Sequence, residues 1–191
     1  MSLRPLKRVL VSLAAASLAA LAATAGAATP AAAGASTLAI RNVCYSTSQA
    51  GPYATYANQA ATIWNNATAN INVSRCGSNI MIYYTSGGGS YAVTYSLGNG
   101  YIVIDSQQAA QYSPLRIVAH EMGHLLGLPD NYNGSCAILM SGGSAGTSCT
   151  NPYPSSGEAA QVDRNFSFAI TSGSGTKVFR DSWPAPAGAQ R

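Results

Sequence analysis

Residues 113–130 read Ser113-Pro114-Leu115-Arg116-Ile117-Val118-Ala119-His120-Glu121-Met122-Gly123-His124-Leu125-Leu126-Gly127-Leu128-Pro129-Asp130, and the fold is decided there. Ser113 can cap a helix, Pro114 suits its first turn, and Gly127 follows its last periodic residue. Leu115, Val118, Ala119, Met122, Leu125 and Leu126 recur at spacings of three and four and supply a buried stripe. His120 and His124 lie four apart on the same helix, so both imidazoles point the same way. Two imidazoles so placed can grip one metal ion, and zinc suits nitrogen ligands in a tetrahedral site. Glu121 stands beside them, where a carboxylate can reach a water on the metal.

An H-E-x-x-H pattern alone can be two surface histidines on a helix. Here they are the only two histidines of the chain, and Glu121 and Asp130 are two of its 6 acidic residues. Gly127 lets the chain turn sharply after the helix and return Asp130 towards the same metal as a third ligand. The extended pattern H-E-x-x-H-x-x-G-x-x-D is much more specific than its first half.

Composition agrees with a folded, exported domain. Of 191 residues, 8% are charged and 47% hydrophobic, against roughly 25% charged in an average soluble protein, which argues against disorder. The formal net charge of +4 is inflated by Arg4, Lys7 and Arg8. These precede the apolar run Val9–Ala28, and Ala25-Gly26-Ala27 resembles a small-residue cleavage site. We expect residues 1–28 to be a cleaved signal peptide rather than a membrane anchor, followed by a short linker or pro-segment at 29–36. Without the three leader cations the net charge is near +1, so no basic footprint for nucleic acid remains. Export also implies that the four cysteines form disulfides. Three pairings are possible, and spacing does not choose between them.

The rest of the chain reads as short strands around two further helices. Leu38–Tyr45, Ile71–Ser74, Asn79–Thr85, Ser90–Tyr95 and Tyr101–Asp105 are strand-like, with Ser48–Pro52 a turn and Gly87-Gly88-Gly89 a flexible loop. Tyr56, Ala57, Ala60, Ile63 and Trp64 mark a helix from Tyr53, with Trp64 buried. After Pro129 the chain is loop-like to Pro154. Ser155-Ser156-Gly157-Glu158 is a capping box that opens a last helix running towards Phe166, which gives Glu158 a structural role. From Thr171 the tail reads as irregular, and its Val178–Trp183 cluster either docks on the body or stays mobile.

His120–Asp130, Tyr132 and Leu139-Met140-Ser141-Gly142-Gly143 together resemble the snapalysin family, small secreted bacterial zinc endopeptidases related to the metzincins. Ile63-Trp64-Asn65, Gly89-Ser90-Tyr91-Ala92, Gly100-Tyr101-Ile102 and Ser148-Cys149-Thr150-Asn151 extend the likeness over about residues 37–166. The resemblance implies an α+β fold of the zincin or metzincin kind: a twisted mixed β-sheet, a backing helix, the active-site helix and a C-terminal helix. It implies a peptidase domain at 37–169, with 170–191 as a C-terminal extension. It also implies Zn²⁺ held by His120, His124 and Asp130, Glu121 as general base, and Met140 packed beneath the metal. Tyr132 would stabilise the tetrahedral intermediate or help protonate the leaving amine. Cys136 and Cys149 match a family disulfide, which leaves Cys44 and Cys76 for each other. Protein or peptide substrates would lie along an upper edge strand, Ser90–Tyr95.

The implied protein is a secreted, extracellular monomer with no nucleic-acid or membrane partner once the signal is removed. The rival reading is a secreted binding module with a purely structural zinc. One departure concerns calcium: Ser113 and Leu115 stand where relatives can carry calcium ligands, and neither supplies a carboxylate.

Overall fold

Strand-forming runs rich in Ile, Val and Tyr build the sheet, and two amphipathic helices cover one of its faces. A computed structural model describes residues 40–167 and 175–180. The elements in chain order are β1 (Arg41–Gln49), a 3-10 turn (Gly51–Tyr53), α1 (Ala54–Ala67), β2 (Ile71–Ser74), β3 (Ile80–Thr85), β4 (Tyr91–Ser96) and β5 (Asn99–Asp105). Then follow α2 (Ser106–Ala109), α3 (Pro114–Leu125), a 3-10 segment (Leu139–Ala145), α4 (Ser156–Ser167) and β6 (Lys177–Arg180). The expected signal peptide and linker lie outside the described residues, as does the 169/170 boundary.

The sheet order is β2-β1-β3-β5-β4-β6. β1 runs parallel to β2 and β3, and β3 parallel to β5; β4 is antiparallel to β5 and to β6. This is the mixed sheet of an α+β zincin-like fold. β2 and β3, close in sequence, do not pair, because β1 inserts between them. Ile80, Ile82, Ile102 and Ile104 are fully buried on the face that α1 and α3 cover, each contributing about 1.5–3 kcal/mol. Trp64 is also fully buried, and its indole Nε1–H donates to the Ala119 carbonyl at 3.0 Å, which fastens α1 to α3.

Several local expectations are corrected. β1 continues through Ser46 to Gln49, with an irregularity in its pairing to β3, where a turn was expected from Ser48. The Gly87–Gly89 loop is tied down, because the Asp105 carboxylate accepts from the N–H groups of Gly87 and Gly89 at 2.8 and 2.9 Å. The same carboxylate accepts from Gln107 N–H and caps α2, a helix that periodicity did not reveal because it is one turn long. The expected loop from Pro129 to Pro154 contains the 3-10 segment, and the tail, expected to be irregular, contributes β6. The disulfides are Cys44–Cys76 and Cys136–Cys149. Among the described residues no helix is long and apolar enough to cross a membrane.

Candidate metal centre

α3 begins as the sequence suggests, with Ser113 Oγ accepting from Arg116 N–H and Pro114 in the first turn. Its end determines the geometry of the site. Gly127 has φ +91°, a left-handed conformation that glycine adopts without strain. Its N–H donates to the His124 carbonyl, while Leu128 N–H reaches back to Gly123, both at 3.0 Å. These two bonds form a Schellman motif. The reversal points the Leu128 carbonyl back at the helix, 2.8 Å from His124 Nδ1. Two residues later it brings Asp130 to the imidazoles. A side chain at Gly127 would also meet Asn165 at 2.6 Å and Leu97 at 2.9 Å.

Asp130 Oδ1 lies 3.3 Å from His120 Nε2 and 3.4 Å from His124 Nε2. Both imidazoles are fully buried. His120 Nδ1 lies 3.0 Å from the Leu139 carbonyl, as His124 Nδ1 faces that of Leu128. A carbonyl can only accept, so each Nδ1 carries a proton directed at its carbonyl, and each ring turns its Nε2 towards Asp130. Two imidazole nitrogens and one carboxylate oxygen, all within 4.8 Å of one another, are a donor set that suits a zinc ion. Glu121, on the same turn as His120, is fully buried. Tyr132 follows Asp130 by two residues and is 45% exposed.

The loop beneath the helix is held by two charged residues. Arg116, 1% exposed, sends its guanidinium to the carbonyls of Asn151, Ile138 and Leu139 and to Ser141 Oγ. Burial lowers its pKa, opposed by the Glu158 charge. Glu158 forms the expected reciprocal cap with Ser155. Its carboxylate also accepts from Leu139 N–H at 3.1 Å and Met140 N–H at 2.7 Å. The peptide that aims His120 is therefore gripped from both sides. Met140 packs under α3 so closely that a Cβ on Gly123 would lie 2.7 Å from its sulfur. Sequence reasoning missed Arg116 and gave Glu158 only its cap. An arginine within an otherwise apolar helical stripe was the available signal, since such a residue is rarely buried without partners.

The fold and this three-residue centre define an α+β protein of the zincin kind. The chain belongs to the Streptomyces extracellular neutral proteinase (M7) family, whose profile matches residues 40–169. It is 47% identical over 124 residues to the extracellular small neutral protease of Streptomyces caespitosus, covering 63% of this chain and 93% of that one. It is 43% identical over 131 residues to the extracellular small neutral protease of Streptomyces lividans, covering 67% of this chain and 58% of that one. The protein of the same name from Streptomyces coelicolor is 43% identical over 125 residues, with 64% and 58% covered. The match therefore spans little more than half the length of two of these three relatives.

Proposed function

We propose that this protein is a secreted zinc-dependent endopeptidase that acts as a monomer on extracellular proteins or peptides. The observation that carries the reading is the convergence of two imidazole Nε2 atoms and the Asp130 carboxylate on one point, each ring oriented by a backbone carbonyl at its Nδ1. The names of the relatives, extracellular neutral proteases, support both secretion and peptide-bond hydrolysis.

In this reading His120, His124 and Asp130 hold the ion. Bound zinc supplies a Lewis acid that polarises the scissile carbonyl and makes a water acidic enough to attack near neutral pH. Glu121 takes the proton of the attacking water and delivers it to the leaving nitrogen, so one carboxylate serves as base and then as acid. Its burial keeps solvent from competing for that proton. Tyr132 would offer its phenol to the tetrahedral intermediate or the leaving amine.

A purely structural zinc is the weaker reading. Structural sites are closed by four protein ligands, commonly including cysteines. All four cysteines here are in disulfides, leaving no thiolate to close the site. Casein hydrolysis should stop with a chelator and return when zinc is restored. Hydrolysis that persists in metal-free protein would overturn the proposal.

A further inference from the structure

β6 pairs with the sheet edge that runs beside the candidate metal centre. Without it, β4 would be the edge of the sheet, since its other neighbour is β5. An open strand edge is a template for an extended peptide, whose main chain can continue the ladder. β6 takes that place by pairing antiparallel, with Lys177 opposite Thr94, Val178 opposite Val93, Phe179 opposite Ala92 and Arg180 opposite Tyr91. The pairing brings Phe179 to the metal centre. Its ring stacks on that of His124 with centroids 4.2 Å apart and planes 10° apart. Phe179 and Lys177 line one cavity with Thr94, Leu97 and His124.

The hold is thin. Only Phe179 is partly buried, and Val178 is 52% exposed. Arg180 adds a cation–π contact, 5.0 Å above the Tyr91 ring. Residues 177–180 also lie beyond the segment matched by the family profile.

We infer that Lys177–Arg180 is a tethered occupant of the peptide-binding edge, an autoinhibitory strand that an incoming extended peptide must displace before reaching His124. The inference rests on the peptidase reading for the identity of its competitor. A segment carried on the same chain competes as an intramolecular occupant, at an effective concentration that does not fall on dilution. If it is seated about 90% of the time, the apparent affinity for a competing peptide falls about tenfold.

The test uses the full zinc-loaded chain with Phe179→Ala, and separately Val178→Pro, which disrupts the ladder without touching the ring. Hydrogen exchange at residues 91–94 should accelerate in both. In a Glu121→Gln background, a fluorescein-labelled unstructured casein peptide should bind about tenfold tighter once either change is added. With Glu121 intact, KM should fall by a similar factor while kcat stays constant. Unchanged exchange in both variants would overturn the inference, because β6 would not be seated in solution. Faster exchange with unchanged peptide affinity would reduce β6 to an edge cover, and weaker affinity would make it part of the binding site; either result also overturns it. Tighter peptide binding without hydrolysis by any Glu121 protein would sink the peptidase reading alone and leave the masked edge standing.

Discussion

Beneath α3, Arg116 and Glu158 fix a loop that in turn aims His120, and the closing bonds of the helix aim His124. Across the site, four residues of β6 lie on the edge of the sheet, three of them exposed. The metal side is over-determined, with each imidazole set by a carbonyl that is set by its own partners. The rim is under-determined, held by one short ladder and one aromatic stack. Rigidity is concentrated around the three candidate ligands, and weak attachment is left at the sheet edge beside them.

The largest effect is expected from the rigid side. Glu121→Gln preserves shape and the three proposed metal ligands but removes the proposed base. Hydrolysis should fall about 10²–10⁴-fold, while bound zinc, measured by atomic absorption after dialysis, stays stoichiometric. Near-normal turnover in the zinc-loaded variant would remove Glu121 from the mechanism.

Asp130→Ala should come next, read in metal content. Losing a partner behind a ligand typically costs 10–100-fold in metal affinity, and losing the ligand itself should cost at least the upper end of that range. The fold should survive, since both disulfides and the Trp64 anchor remain. Zinc retained as firmly as in the wild type would exclude Asp130 as third ligand.

A smaller effect separates clamp from ligand. Glu158→Ala strands the N–H groups of Leu139 and Met140, and hydrogen bonds to charged groups contribute about 1.5–3 kcal/mol. Urea denaturation should show a loss of about 2 kcal/mol, with a modest fall in zinc affinity because the Leu139 carbonyl is less firmly aimed. A stability loss with unchanged zinc affinity would show that Arg116 alone suffices to orient that peptide.

How much of this was legible in the sequence differs between the same two regions. α3 announces itself through local rules: a cap, a proline, a helical period and a glycine, all within sixteen positions of Ser113. The three candidate metal ligands lie in the same short stretch. The clamp is non-local, because Arg116 meets carbonyls at 138, 139 and 151 and no periodicity encodes such distant partners. β6 was hidden for another reason. Four residues with weak alternation form a strand only because β4 offers an edge, so the signal resides in β4 rather than in the tail.

The smallest expected effect is that of calcium. An ion that binds the folded state preferentially raises thermal stability by mass action, and calcium favours sites with several carboxylate oxygens. Ser113 spends its hydroxyl capping α3, and Leu115 offers no ligand atom. Asp105, the nearest buried carboxylate in sequence before α3, already accepts three backbone N–H groups, from Gly87, Gly89 and Gln107. Binding an ion there would mean breaking bonds that hold both the glycine loop and α2. Among the described residues, the group of three metal-type ligands lies at His120, His124 and Asp130, where imidazole nitrogens suit zinc far better than calcium. Melting curves of the zinc-loaded protein should therefore nearly coincide with and without millimolar calcium. A clear rise in midpoint would reveal a second cation site. Faster hydrogen exchange at Gly87 and Gly89 on adding calcium would place that site at Asp105.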